Sequence, residues 1–303
     1  MPPALATELL PAPADVRSYQ EHGWWLAPVL FPDAEIELLR EGVAEHQAGR
    51  RDAELPPIPG MDDWAPGDPR PLRINDYVTL TNTKLRRLTN NPLIGATAAL
   101  LAGTLGIRLW QSGILHKEPN AQATDTRIGW HTDKAYWRSC SSTRMLTAWV
   151  ALQDVYESMG ALTVLDRSHR WPGAKAAAMR MEKSFSGRTA EAVERRLAAI
   201  EVDIVPVPMR MRKGQVSFHH CLTMHGSGPN LSDRTRIALS AHLQDVDNRF
   251  RQVPTEDGGL EGHKNDWICR RTADGDPDYT DPTVFPTLWP TAGDTATNDR
   301  TDG

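Results

Sequence analysis

Two hydrophobic rhythms meet near Gly106 in this chain. Before it, apolar residues recur at helical spacing. Ile36, Leu39 and Val43 do so within residues 31–46, where Asp33 stands as the expected N-cap. Ile94, Ala98, Leu101 and Leu105 do so again. Asn91 can cap that segment, Pro92 suits its first position, and Gly106 is its expected end. After Gly106 short apolar runs alternate with turn residues. Residues 109–116, 145–155, 161–165, 204–207, 215–219 and 237–243, bounded by Gly, Pro, Asn and Asp, predict strands. Many short strands predict a barrel or sandwich. Residues 55–73, rich in Pro, Asp and Gly, predict a loop; residues 189–200 predict a helical insertion among the strands. The small polar residues 291–303 predict a disordered tail. The expected architecture is mainly β with flanking α. N-terminal helices pack on one β-barrel-like core, with residues 1–290 as a single domain and core strands at about 107–245.

Composition narrows the function classes. The 303 residues carry a net charge of −5, which offers no electrostatic footprint for nucleic acid. No apolar run approaches the ~18 residues that span a bilayer. The first twenty residues lack a basic stretch followed by an apolar segment, so the cytoplasm is the expected compartment. Cys140, Cys221 and Cys269 are too scattered for a disulfide framework or a paired-cysteine zinc site.

The chemistry concentrates around Gly129-Trp130-His131-Thr132-Asp133. On a strand, residues two apart share a face, so His131 and Asp133 would present an imidazole and a carboxylate side by side. Two histidines and one carboxylate on one face of an iron leave three positions open, the pattern of non-haem iron(II) oxygenases. The third ligand must come from elsewhere. His225 is the best placed, ending an expected strand just before Gly226-Ser227-Gly228-Pro229. Arg236 follows eleven residues later and opens the next apolar run. A dicarboxylate that chelates iron at one end needs a cation for its far carboxylate, and the planar guanidinium fork suits that role. Each piece also has a plainer reading. Arg236 could face solvent, and His219 and His220 are rival ligands.

The ordered set of motifs resembles the phytanoyl-CoA hydroxylase family of 2-oxoglutarate oxygenases from about Tyr19 to Leu243. The likeness runs through Tyr19-Gln20-Glu21-His22-Gly23-Trp24-Trp25, Leu30-Phe31, Lys117 with Pro119, and His131-Thr132-Asp133. It continues through Trp149 with Asp154, Gly160-Ala161-Leu162 to Ser168-His169, and Lys213-Gly214-Gln215. It ends in His225-Gly226-Ser227, Asn230, Ser232 and Arg236. Thr132 departs from the pattern, standing where relatives often carry Gln. Asp166-Arg167 replaces the usual Pro-Gly before Ser168.

The resemblance implies a double-stranded β-helix (jelly-roll or cupin-like) core, Fe(II), 2-oxoglutarate as cosubstrate, and O2. It implies that His131, Asp133 and His225 hold the metal and that Arg236 pairs with 2-oxoglutarate. It places Ser227, Trp149 and Thr132 where they can touch that cosubstrate, although Trp149 equally suits a buried strand. It implies hydroxylation or a related oxidation, since Asp133 fills the position that halogenating relatives leave for a halide. The expected substrate is a small molecule, with a natural-product intermediate as the first candidate and a CoA thioester as the alternative. Trp130, Tyr136, Trp137 and Lys117 are candidate pocket residues. Lys134, Arg138 and Arg144 are expected to face solvent. A lid over the site is expected from residues 179–200. A zinc hydrolase built on the same histidines and a catalytically silent binding module stay open, and the oligomeric state is not legible.

Overall fold

A computed structural model describes residues 5–61, 65–119, 126–183 and 188–290. The expected tail at 291–303 lies outside them. The helices are α1 (Pro13–His22), α2 (Asp33–Gln47), α3 (Val78–Thr81), α4 (Arg87–Asn90), α5 (Pro92–Ala102), α6 (Ala174–Met179) and α7 (Arg188–Leu197). The strands are β1 (Trp24–Val29), β2 (Leu72–Asp76), β3 (Ile107–Lys117), β4 (Ile128–His131), β5 (Leu146–Ala151) and β6 (Leu162–Leu165). They continue with β7 (Pro206–Pro208), β8 (Gln215–His220), β9 (His225–Ser227), β10 (Arg236–Asp245) and β11 (Thr287–Trp289).

All named pairings are antiparallel, in two sheets. The larger runs β1-β8-β5-β10-β3-β11, with β2 also on β3; the smaller runs β4-β9-β6-β7. This is the double-stranded β-helix that the sequence implied. Alternation along the central strands assigns each face its work. Leu146, Ala148 and Val150 of β5, Val216 and Phe218 of β8, and Leu239, Ala241 and Leu243 of β10 pack with Ile36, Leu39, Val43, Ile94 and Ala98 of the N-terminal helices. The residues between them, Thr147, Trp149, Ser217, His219, Ala238, Ser240 and His242, face the space between the sheets. Because helices cover the outer face, both faces of these strands are shielded from water, and the strands read as apolar runs.

Several boundaries differ from the sequence reading. Asp33 is the first helical residue, not the cap. Pro32 precedes it and its carbonyl accepts from Glu35 and Ile36. Asp33 still belongs there, since a carboxylate in the first turn meets the positive end of the helix dipole. Helix α5 stops at Gly103, whose φ of 62° ends it in the left-handed region, three residues before Gly106. Leu105 therefore leaves the apolar stripe and is 91% exposed. Strand β2 begins inside the expected loop, and His225 opens β9 rather than ending a strand.

The segment after β10 is part of the packing. Trp110 on β3, fully buried, stacks on Phe285 (centroids 5.4 Å apart, planes 7° apart) and meets the edge of Tyr279 at 4.7 Å. Trp110→Ala is expected to cost about 3–5 kcal/mol in a denaturant melt. We further expect one unfolding transition, as a single domain over residues 1–290 requires. A separate early transition would divide the C-terminal segment from the barrel.

Candidate active site

The first two candidate ligands reach one face by a route that alternation explains only in part. Strand β4 ends at His131, and Asp133 opens a 3-10 turn, Asp133–Ala135. Thr132 between them keeps an extended backbone (φ −116°, ψ 149°), so the two-residue alternation survives one step past the strand. His225 arrives on β9, where it is the cross-strand partner of His131. One ligand atom from each of His131, Asp133 and His225 lies within 4.8 Å of the others, and all three residues are buried.

The ring nitrogens are oriented by the backbone. His131 Nδ1 lies 2.8 Å from the Gly129 carbonyl and His225 Nδ1 3.0 Å from that of Thr223. A carbonyl only accepts, so each Nδ1 carries the proton and each Nε2 presents its lone pair. Burial lowers the pKa of both histidines and so keeps the rings neutral. Burial pushes the Asp133 carboxyl up. The surrounding imidazoles of His225, His219 and His242 outweigh that and hold it below the usual carboxylate range. Asp133 Oδ2 accepts from the Thr147 hydroxyl at 2.6 Å, while Oδ1 stands 3.6 Å from His225 Nε2. Two neutral imidazoles and one carboxylate, each held from behind, fit a divalent metal without first losing protons.

His219 stands beside them, its Nε2 3.5 Å from Asp133 Oδ2, and among the described residues neither of its ring nitrogens has a hydrogen-bond partner. It is not in the group that could hold a metal. His220 points elsewhere, packing near Tyr19 and His169 and accepting from the Leu222 amide.

A cavity of about 490 Å³ opens over this group. Trp149, Ser227 and Arg236 line it, as do Tyr136 and Trp137. Arg236 is only 1% exposed. Its Nη2 donates to the Gly160 carbonyl at 3.3 Å, and its guanidinium carbon lies 5.3 Å from the Trp149 ring centre. Its Nε and Nη1 have no partner, and no carboxylate pairs with it among the described residues. Burial lowers its pKa to about 9. A buried arginine with two unspent donors fits a carboxylate supplied from outside the chain.

Three expected pocket or cosubstrate residues lie elsewhere. Thr132 is fully buried and does not line the cavity. Its hydroxyl donates to the Arg180 carbonyl and accepts from the Ala135 amide at 3.2 Å, because alternation turns it away from the face of His131 and Asp133. Trp130 is turned away likewise and packs against Leu165, Trp171, Met179 and Val193. Lys117 sits behind the wall. Its amine nitrogen donates to Ser227 Oγ at 2.6 Å and to the Gly228 carbonyl at 2.7 Å. Burial, with the neighbouring Arg236 charge, lowers its pKa to about 5. Lys134 is likewise buried, not solvent-facing, and donates to the carbonyls of Cys140 and Ser142. Of the expected lid, Lys183 lines the cavity, and residues 184–187 lie outside the described chain.

The sequence reading missed Thr147, His242 and His263, all of which line the cavity. His242 was within reach: it lies six residues from Arg236 on β10, an even number, and so shares its face. His263 comes from the C-terminal segment, where no periodicity marks it.

A profile of the phytanoyl-CoA dioxygenase (PhyH) family matches residues 19–238. The chain belongs to that family. Membership makes it a dioxygenase, the enzyme class that the motifs implied. The human peroxisomal phytanoyl-CoA dioxygenase is 24% identical over 254 residues, covering 78% of this chain and 69% of the relative. The non-haem α-ketoglutarate-dependent carbocyclase SnoK, from nogalamycin biosynthesis, superposes with a TM-score of 0.66 at 24% identity, over 91% of this chain and 96% of that one. The epimerase SnoN of the same biosynthesis gives 0.64 at 25% identity, over 91% and 97%. Among the described residues, no helix is long and apolar enough to cross a membrane.

Proposed function

We propose that the chain is an Fe(II)- and 2-oxoglutarate-dependent oxygenase that oxidises an unactivated C–H bond of a small molecule. One observation carries the reading: a three-residue group fit for a metal shares a cavity with a buried arginine that no carboxylate pairs among the described residues. His131, Asp133 and His225 would hold the iron. Arg236 would pair with the far carboxylate of 2-oxoglutarate, with Ser227 and Trp149 beside it. When bound, iron and cosubstrate supply the oxidising chemistry: 2-oxoglutarate, O2 and substrate give succinate, CO2 and the hydroxylated product. The chain's own residues hold the ligand atoms in place, compensate the cosubstrate's charge and keep bulk water out. SnoN has been solved with Fe3+, α-ketoglutarate and a nogalamycin compound, and an EctD from S. alaskensis with 2-oxoglutarate and 5-hydroxyectoine. These bound molecules support a small-molecule substrate of the natural-product kind.

The test is spectroscopic. Fe(II) and 2-oxoglutarate added to protein prepared without oxygen should give a weak visible charge-transfer band. Its absence from folded, metal-loaded protein would favour a zinc hydrolase or a silent binding module.

A pH effect follows from Lys117. At a pKa of about 5 it is neutral near pH 7, and a bound dianion raises that value by favouring the charged form. Binding of 2-oxoglutarate should therefore take up as much as about one proton. Affinity should rise as pH falls from neutrality toward 5. Calorimetry in buffers of different ionisation enthalpy measures the uptake, and a slope of zero would remove Lys117 from the binding event.

A further inference from the structure

The cavity has a second end. Arg236 and His242 lie on the same face of β10, six residues and roughly 20 Å of strand apart. Thr147, cross-strand partner of His242, lies between that histidine and Asp133. The His242 end is therefore the part of the cavity away from Arg236. Trp137 and His263 line it too.

Two histidines here carry opposite tautomers, and the hydrogen bonds say which. The Thr147 hydroxyl has one proton. Asp133 Oδ2, 2.6 Å away, is a carboxylate oxygen and only accepts, so that proton goes to it. His242 Nδ1 lies 2.7 Å from the same hydroxyl oxygen and must then donate. The Nε2 of His242 is left as an acceptor. His263 is the reverse. Its Nδ1 accepts from the Asn265 amide at 3.1 Å, so a neutral ring carries its proton on Nε2.

Burial favours the neutral ring in both cases, lowering the pKa of His242 and taking that of His263 to about 3. Both residues keep part of their surface accessible. Aromatic neighbours fix the rings: Trp137 meets His242 edge-on at 5.1 Å, and Trp110 lies 4.9 Å from His263. The cations at this end already have partners. Lys264 pairs with Asp76 at 3.0 Å and Lys183 with Glu261 at 2.7 Å. A charged substrate would meet matched pairs here, unlike the carboxylate that Arg236 awaits.

We propose that His242 and His263 are specificity-determining residues that select an uncharged, hydroxylated small molecule: His242 Nε2 accepts from a substrate hydroxyl, and His263 Nε2–H donates to a substrate oxygen. The proposal rests on the oxygenase reading and adds the substrate class. The Thr147 hydroxyl links this contact to Asp133, so the same histidine that receives the substrate also helps to hold a candidate metal ligand.

Nitrogen-15 NMR of the full chain, loaded with Zn(II) and 2-oxoglutarate, tests the tautomers directly. His242 should carry its proton on Nδ1 and His263 on Nε2, and any other assignment overturns the proposal. In the same sample, cyclohexane-1,2-diol should bind at least about tenfold more tightly than its dimethyl ether or cyclohexanecarboxylate. His242→Phe or His263→Phe should remove that preference. Equal binding of diol and ether, or tighter binding of the carboxylate, overturns the proposal even if both variants prove unstable. Failure of the wider oxygenase reading shows separately, as loss of the charge-transfer band in native protein with Fe(II).

Discussion

Alanine in place of His225 is expected to bring 2-oxoglutarate-dependent succinate formation below about 1% of the native rate. Even the outer partners of metal ligands cost about 10–100-fold when removed, and His225 would be a ligand itself. The loss has two parts. One lone pair leaves a group whose atoms converge within 4.8 Å. Asp133 Oδ1, now 3.6 Å from the His225 ring, also loses a wall of its pocket. The charge-transfer band should vanish with the activity. Asp133→Ala should behave alike, because its carboxylate is the group's only negative charge. His220→Ala is the comparison, since His220 lies outside the cavity lining and packs near Tyr19. Turnover retained by His225→Ala would overturn the metal assignment and reopen the case for His219, which stands 4.3 Å from the His225 ring.

Alanine in place of Arg236 should act on the cosubstrate and leave the metal in place. Losing one partner of a buried charge pair costs about 2–5 kcal/mol, which is roughly a 30-fold to few-thousand-fold rise in the KM for 2-oxoglutarate. Fe(II) affinity should change little. Stability supplies a second readout. Arg236 is buried with two donors unspent, so the protein without cosubstrate carries an uncompensated charge. Removing it should leave the ligand-free melting temperature unchanged or raised, while the stabilisation added by 2-oxoglutarate disappears. Arg236→Lys keeps the charge without the fork and should fall between the two. If Arg236 served only to pack on Trp149, the alanine variant would lose stability and leave the KM for 2-oxoglutarate unchanged.

The candidate site was legible where its geometry follows from local rules. His131 and Asp133 come to one face because extended backbone alternates, and this holds even though Asp133 has left the strand. Arg236, Ser240 and His242 share a face for the same reason, so the missed histidine was already implied by the position of Arg236. The same rule turns Trp130 and Thr132 away from the cavity. Trp130 was expected in the pocket because it flanks the metal motif, and Thr132 beside the cosubstrate because of the resemblance; in the structure a strand neighbour points to the opposite side.

Sequence alone carried the alternation, the helical stripes and the ordered motifs, since each depends on backbone geometry repeated over a few residues. It therefore sufficed for the family, the fold and the membership of the His-Asp-His group. Folding alone supplied whatever depends on distant segments meeting. Lys117 became a buried, low-pKa amine only when β9 covered it. Arg236 became a buried guanidinium, with no carboxylate partner among the described residues, only when the sheets closed around it. The tautomer of His242 follows from Thr147, more than ninety residues earlier, whereas that of His263 is set locally by the Asn265 amide two residues on. A titratable group takes its protonation and its partner from the surroundings it is buried in, and those are set by the tertiary fold.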